Sequence, residues 1–238
     1  MNNSFLIKEK WNKKEYKELI KYLLSKEKKE LKSFNSKIIN TNQIIIGIDT
    51  KTLRDIAKSI SKGNIIEFLN NTENTYFEET LIEGFVIGYL KDEKLFREYF
   101  YKFIEKIDNW ATCDMCISSF KIIKKIDFYN ESKELTLKDN EFISRVGIVI
   151  LLDYYIDENH IEDILKLISK INTNYYYVNM AISWLISIAF IKFRTNILDL
   201  LKQRILPVFV QNKAISKIRD SYQVSKKDKE LVKEYKLS

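Results

Sequence analysis

The sequence predicts an all-α protein, an α-α superhelix of stacked helical pairs. Three observations carry that prediction. Five glycines and a single proline, Pro207, in 238 residues are too few turn formers for a sheet protein, whereas helix connections manage with Asn, Asp, Ser and Thr. Apolar residues recur at the 3.6-residue period of a helix along most of the chain. Half-apolar segments alternate with segments that are apolar nearly all round, as expected where helical pairs stack and alternate helices are covered on both sides. No residue-level repeat is visible, so a globular bundle of helices is the alternative.

In residues 13–31, Tyr16, Leu19, Ile20, Leu23 and Leu24 form one stripe among Lys and Glu, the mark of an amphipathic surface helix. Residues 33–46, SFNSKIINTNQIII, break this pattern with Asn and β-branched side chains before Gly47 and read as loop or extended chain. Asp49 or Thr50 caps the next helix, whose stripe is Leu53, Ile56, Ala57 and Ile60 and whose stop is Gly63. A short helix over 65–69 precedes one over 75–90, where Phe77, Leu81, Phe85 and Tyr89 mark one face and Ile82, Gly84, Val86 and Gly88 others. That helix packs on several sides. Asp92 caps a helix to Ile107, and another runs from Trp110 to about Lys125. Polar residues 127–140 read as the longest connection after the N-terminal loop. Asp139 or Asn140 begins a helix to 155, and helices follow over 159–170, 174–193, 196–206, 210–220 and 225–235, the ones to 155 and over 174–193 too apolar for an outer position and the last opening with Ser-x-x-Asp. The whole of 1–238 reads as one domain.

Lys and Arg number 40 against 33 Asp and Glu, a net charge of +7, which favours an anionic partner such as DNA. Only six of those bases are arginine, so a lysine-rich composition accounts for the excess equally well. Cys113 and Cys116 lie one helical turn apart, and with His160 the only histidine there is no second pair of zinc ligands; the thiols read as reduced and partly buried. The N-terminal residues have no long apolar stretch. The longest apolar run, residues 146–152, is far below the ~20 residues of a membrane span. A cytoplasmic protein is expected.

The stretch DNWATCDMCISSFK, residues 108–121, sets Trp110 and Asp114 four residues apart, on one helix face. A carboxylate beside a tryptophan needs a partner, because burying it unpaired is costly. Read alone, Trp110 is a half-buried core anchor and Asp114 a surface acid. Three further fragments stand in order with it: GIDTKTLRDIAKSI at 47–60, EFISRVGIVILLDYY at 141–155 and YYVNMAISWLISIAFIKF at 176–193. Together the four resemble the AlkD-like DNA alkylation repair family, the HEAT-like repeat alkylpurine DNA glycosylases, over roughly residues 34–232.

The resemblance implies a HEAT-like repeat solenoid with a concave basic surface for alkylated double-stranded DNA. It also implies a cleft of two Trp, one Asp and one Arg, which fall on Trp110, Trp184, Asp114 and Arg145. Asp114, Trp110 and Trp184 are then the catalytic candidates. Arg145 is assigned to a DNA phosphate, with Arg54, Lys51 and Arg219 as further DNA-binding cations. No metal, no cofactor and no membrane are implied, and a monomer is expected. Singly, Trp184 also reads as core and Arg145 as a cap on a neighbouring helix end. In the excising members of the family a short basic and aromatic helix before the Gly-Ile motif enters the minor groove. Here SFNSKIINTNQ has no Tyr, has only Lys37 as a base and reads as non-helical; members lacking that helix look like poor excision enzymes. A basic residue common after the second Trp is also missing, Ser187 standing nearby instead.

The expected activity is hydrolysis of the N-glycosidic bond of cationic N3- or N7-alkylated purines in duplex DNA, without a base-flipping pocket. The alternatives are a non-excising DNA-binding protein of the same fold and a helical-repeat adaptor for another protein.

Overall fold

The computed structural model describes residues 3–238. Those residues form fourteen α-helices and three short 3-10 turns with no β-strand, and one isolated parallel bridge joins Ile44 to Tyr76. The all-helical prediction holds. The chain divides into two compact units, Met1–Ile126 and Asp127–Ser238.

The first unit contains α1 (Lys13–Leu24), α2 (Lys29–Ile38), α3 (Thr50–Ile60), α4 (Ile65–Leu69), α5 (Phe77–Ile87), α6 (Glu93–Ile104) and α7 (Trp110–Ile117). Helix α5 is its centre. Every residue of α5 is buried, and it packs against α3, α4, α6 and α7. Three of those residues are glutamates, and each has partners, as a buried carboxylate requires. Glu78 accepts the backbone N–H groups of Ile46, Gly47 and Ile48 at 2.9, 2.7 and 3.3 Å. Glu79 accepts the Tyr16 hydroxyl at 2.6 Å and the Tyr76 N–H at 2.6 Å. Burial pushes both the Glu79 carboxyl and the Tyr16 hydroxyl above their ordinary range. Glu83 pairs with Lys106 at 2.7 Å and accepts from Asn74 at 2.5 Å.

These side chains fix the non-helical stretch between α2 and α3, where no sheet exists to satisfy the backbone. Gln43 donates to the Asn74 carbonyl and to Thr80, and Gly47 makes the turn at φ +92°. A Cβ on Gly47 would also lie 2.5 Å from the Lys32 nitrogen, so the residue serves both the left-handed backbone and the close approach of α2. Lys28 closes the same corner, its N–H donating to the Gly47 carbonyl at 3.0 Å and its ammonium meeting Asp49 at 2.6 Å. The Lys28 contact, with the Thr52 N–H that Asp49 caps, lowers the Asp49 carboxyl to about 2.

Three expectations about this unit need correction. The helix predicted over 13–31 stops at Leu24, and a separate helix, α2, begins at Lys29. The stretch from residue 33, expected as loop or extended chain, is therefore helical through Ile38. No residue of α2 is buried, so no core-facing stripe marked it, and it is held by its ends instead. Helix α7 ends at Ile117 and a 3-10 turn follows over Lys121–Lys125, in place of one helix to Lys125. There the Met115 carbonyl is bonded by the hydroxyls of Ser118 and Ser119 and by Arg54, bonds that compete with continuing the helix.

The second unit contains α8 (Tyr129–Thr136), α9 (Glu141–Tyr154), α10 (Ile161–Ile168), α11 (Tyr176–Lys192), α12 (Arg194–Gln203), α13 (Val208–Asp220) and α14 (Lys226–Leu231). As their composition predicts, α9 and α11 are the inner helices: α11 packs on α9, α12 and α13. Helix α8 corrects the expected connection over 127–140. It buries Ser132, Leu135 and Thr136 against α9 at Gly147, where a Cβ would lie 2.6 Å from the Thr136 nitrogen. Among the described residues, no helix is long and apolar enough to cross a membrane.

Glu78→Ala leaves three buried N–H groups without a partner, at ~1–3 kcal/mol each. The expected loss is about 4 kcal/mol, or a fall of roughly 10 °C in melting temperature for a chain of this size. Calorimetry tests it, and a midpoint within about 2 °C of wild type would show that the 46–48 backbone does not depend on this carboxylate.

Candidate functional site

Helix α7 is started by Asn109, which is buried and accepts the Thr112 N–H at 2.8 Å. Next to it, Asp108 accepts the Thr41 hydroxyl at 2.8 and 2.9 Å and the Asn42 N–H at 2.8 Å. Trp110, the first residue of α7, donates its indole N–H to the Ile38 carbonyl at 3.1 Å. Ile38 is the last residue of α2. The exit of α2 and the start of α7 are thus tied twice, by Asp108 and by the tryptophan, and the indole is fixed in orientation. Asp114 lies one turn further on the same face. Both side chains are half-buried, so the pair sits at the surface of the unit rather than in its core.

The thiols on this helix face the interior of the unit. Cys113 and Cys116 are fully buried free cysteines, not the partly buried pair expected, and burial holds the Cys116 thiol well above its ordinary range. Among the described residues, no group of three or more His, Cys, Asp or Glu is arranged to hold a metal ion.

In the second unit, Arg145 lies on α9 at 5% exposure and donates to the Tyr177 carbonyl at 2.6 Å. Glu141 accepts the Tyr177 N–H at 2.7 Å, and the Phe142 and Tyr177 rings are 5.4 Å apart. The first turns of α9 therefore hold the beginning of α11 in place. Tyr177 belongs to the first turn of α11, so the contact is not the helix-end cap that the residue alone suggested. Trp184 follows two turns along α11, half-buried against the core of the unit. Ser187 is buried and donates to the Trp184 carbonyl at 2.8 Å. Trp11, the tryptophan outside the candidate set, is buried edge-on against Phe68.

The remaining cations differ in setting. Lys51 is exposed and shares a groove with Lys58 and Lys62. Arg54 is exposed but oriented, its guanidinium 4.2 Å over the Phe85 ring. Arg219 is half-buried, with a buried Nε that has no hydrogen-bond partner. The structure thus brings Trp110 and Asp114 onto one face of the first unit and places Arg145 and Trp184 on two packed helices of the second. Helix α2 was missed by sequence reasoning, although Leu31, Phe34 and Ile38 keep helical spacing. Phe34 is 57% exposed, so the stripe points away from the core.

A family model described as DNA alkylation repair enzyme matches residues 8–204. The chain belongs to this family. The match runs from before α1 to the end of α12 and includes Trp110, Asp114, Arg145 and Trp184. No curated protein and no solved structure matches the chain. Membership in the DNA alkylation repair family sets the context as repair of alkylated DNA, and the matched residues include the half-buried carboxylate and the oriented indole on the face of α7.

Trp110→Phe keeps a ring and removes the N–H that holds Ile38. Faster amide exchange in residues 32–40 is expected, with a cost of about 1 kcal/mol or less in global stability. Hydrogen-exchange mass spectrometry reads this directly, and unchanged protection of α2 would mean that the indole does not anchor it.

Proposed function

We propose that the protein hydrolyses the N-glycosidic bond of cationic N3- or N7-alkylated purines in duplex DNA. An alkylated purine of this kind already carries a positive charge, so it leaves with the electron pair of the C1′–N bond and becomes neutral without being protonated. What must be stabilised is the oxocarbenium-like sugar, together with the water that adds to C1′ and releases its proton to solvent. In this reading Asp114 supplies negative charge to the sugar and orients the water. Trp110 offers a π face to the cationic sugar or base, a contact worth about 0.5–2 kcal/mol, and Trp184 is assigned the same role. Arg145 is proposed to hold a phosphate, although its burial and its bond to Tyr177 favour a share in positioning α11. The exposed Lys51 and Arg54, and the half-exposed Arg219, are proposed to meet the DNA backbone.

The observation that carries the proposal is the Trp110–Asp114 pair. It lies at the surface on one helix face, with the indole N–H engaged by the Ile38 carbonyl, inside the segment matched to the repair family. Helix α2 adds support. The segment that resembled a missing damage-reading element is a helix that buries nothing, presenting Phe34, Lys29 and Lys37 outward. The helix at residues 33–38 favours the excising reading, while the segment through Gln43 still has no Tyr and only Lys37 as a base.

Asp114→Asn keeps the shape and removes the charge. Binding of a duplex carrying 7-methylguanine should barely change, while single-turnover base release, corrected for spontaneous depurination, falls about 10²-fold or more. Equal release by the two proteins would end the mechanism. Binding itself should weaken with salt, log K falling by about 0.9 per phosphate neutralised, and an affinity indifferent to salt would favour the adaptor reading.

A further inference from the structure

On the face of α7 that carries Trp110 and Asp114, the next turn brings Ser118 to the surface. From there an open groove of about 480 Å³ extends beside the C-terminal ends of α5 and α7. Its walls include Arg54, Phe85, Tyr89, Ser118, Ser119 and Lys121. Two of these are cations and none is an acid.

Arg54 is held in a fixed pose. It lies over the Phe85 ring at 4.2 Å and donates to Ser119 Oγ at 2.8 Å and to the Met115 carbonyl at 3.2 Å. Those bonds take two of the five guanidinium N–H donors and leave the others open. Arg97 and Arg194, by contrast, each sit on a carboxylate. The carbonyl end of α7 would repel an anion by itself, but the Met115 carbonyl is already covered by Arg54 and by the hydroxyls of Ser118 and Ser119 at 3.0 and 3.2 Å. An oriented guanidinium with open donors beside an exposed lysine is the donor set a phosphate takes, the arginine in a fork and the lysine as a point charge. Tyr89, 40% exposed, adds a ring against which a sugar or base can stack.

We propose that this groove binds a backbone phosphodiester of a DNA strand, at a nucleotide neighbouring the one presented to Asp114. Asp114 and Ser118 are one helical turn apart, roughly 6 Å, which keeps a neighbouring nucleotide within reach. The proposal rests on the reading that the protein works on DNA; it does not require base excision.

The test titrates isotopically labelled protein with the dinucleotide TpT, which has one phosphodiester and no lesion, and in separate samples with inorganic phosphate and with a short undamaged duplex. TpT and the duplex should shift the amides of Ser118, Ser119 and Lys121, and Lys121→Gln should abolish the TpT shifts. Lys121 is exposed, so the variant is expected to fold. For duplex binding, Lys121→Gln should reduce the salt slope by about 0.9, whereas Lys17→Gln, an equal charge change on the exposed side of α1, should leave it as in wild type. Shifts with inorganic phosphate and none with TpT would overturn the strand assignment in favour of a free-phosphate site. Duplex binding that leaves the groove amides unmoved, or equal slopes for the two variants, would overturn the groove and spare DNA binding. No response to either nucleic acid would overturn both. Failure to release 7-methylguanine from a separate, lesion-bearing duplex bears on Asp114 alone.

Discussion

The first unit depends on one buried carboxylate. Glu78 takes three consecutive backbone N–H groups, from Ile46 to Ile48, in a protein with no strand to satisfy them among the described residues. A chain crossing a helical core in extended form would otherwise leave those donors buried and unpaired. With Glu78 in place, α2 must end before the crossing and α3 must begin after it, capped by Asp49. Glu79, Glu83 and Gln43 extend the same solution along α5, and Asp108 completes it at the start of α7. The polar groups inside this unit are the frame on which the α7 face is hung.

That frame sets the orientation of Trp110 at the start of the α7 face. Trp110 closes onto the exit of α2 and Asp108 onto Thr41 and Asn42, so the orientation of the indole follows from where the crossing segment lies. Preorganisation of this kind is what an electrostatic mechanism needs, since a carboxylate that must reorient to meet a developing positive charge loses much of its effect. In the proposed function, the exposed helix at one end of the face and the acid-free groove at the other are assigned to the same polyanionic partner.

Much of this was legible in the sequence, for physical reasons that differ between elements. The inner helices α5, α9 and α11 announced themselves because most of their covered side chains are apolar or small, the buried glutamates of α5 and Arg145 of α9 excepted, and the caps at Asp92 and Ser225, with those at Asp49 and Asn140 to within one residue, were readable because unpaired helix N–H groups favour these residues. Helix α2 escaped because it buries nothing. Helix α8 escaped because much of what it buries is Ser132 and Thr136, packed on Gly147, and neither residue carries a hydrophobic signal. Of the candidate site, Trp110 and Asp114 shared a face by spacing alone. The setting of Arg145 did not follow from the sequence, since an arginine in an apolar helix is satisfied by a carbonyl that only packing brings to it, here that of Tyr177. The tether from Trp110 to Ile38 spans 72 residues of sequence and has no local signature.

The central claim is that the protein assists departure of a base that is already positively charged. The most direct measurement compares release of 7-methylguanine, which is cationic, with release of 1,N6-ethenoadenine, which is neutral, from otherwise identical duplexes under single-turnover conditions. A site that stabilises the sugar and lends no proton to the base releases the cationic lesion well above its spontaneous rate and leaves the neutral one near background. Comparable release of both lesions, or release of the neutral one alone, would contradict the account.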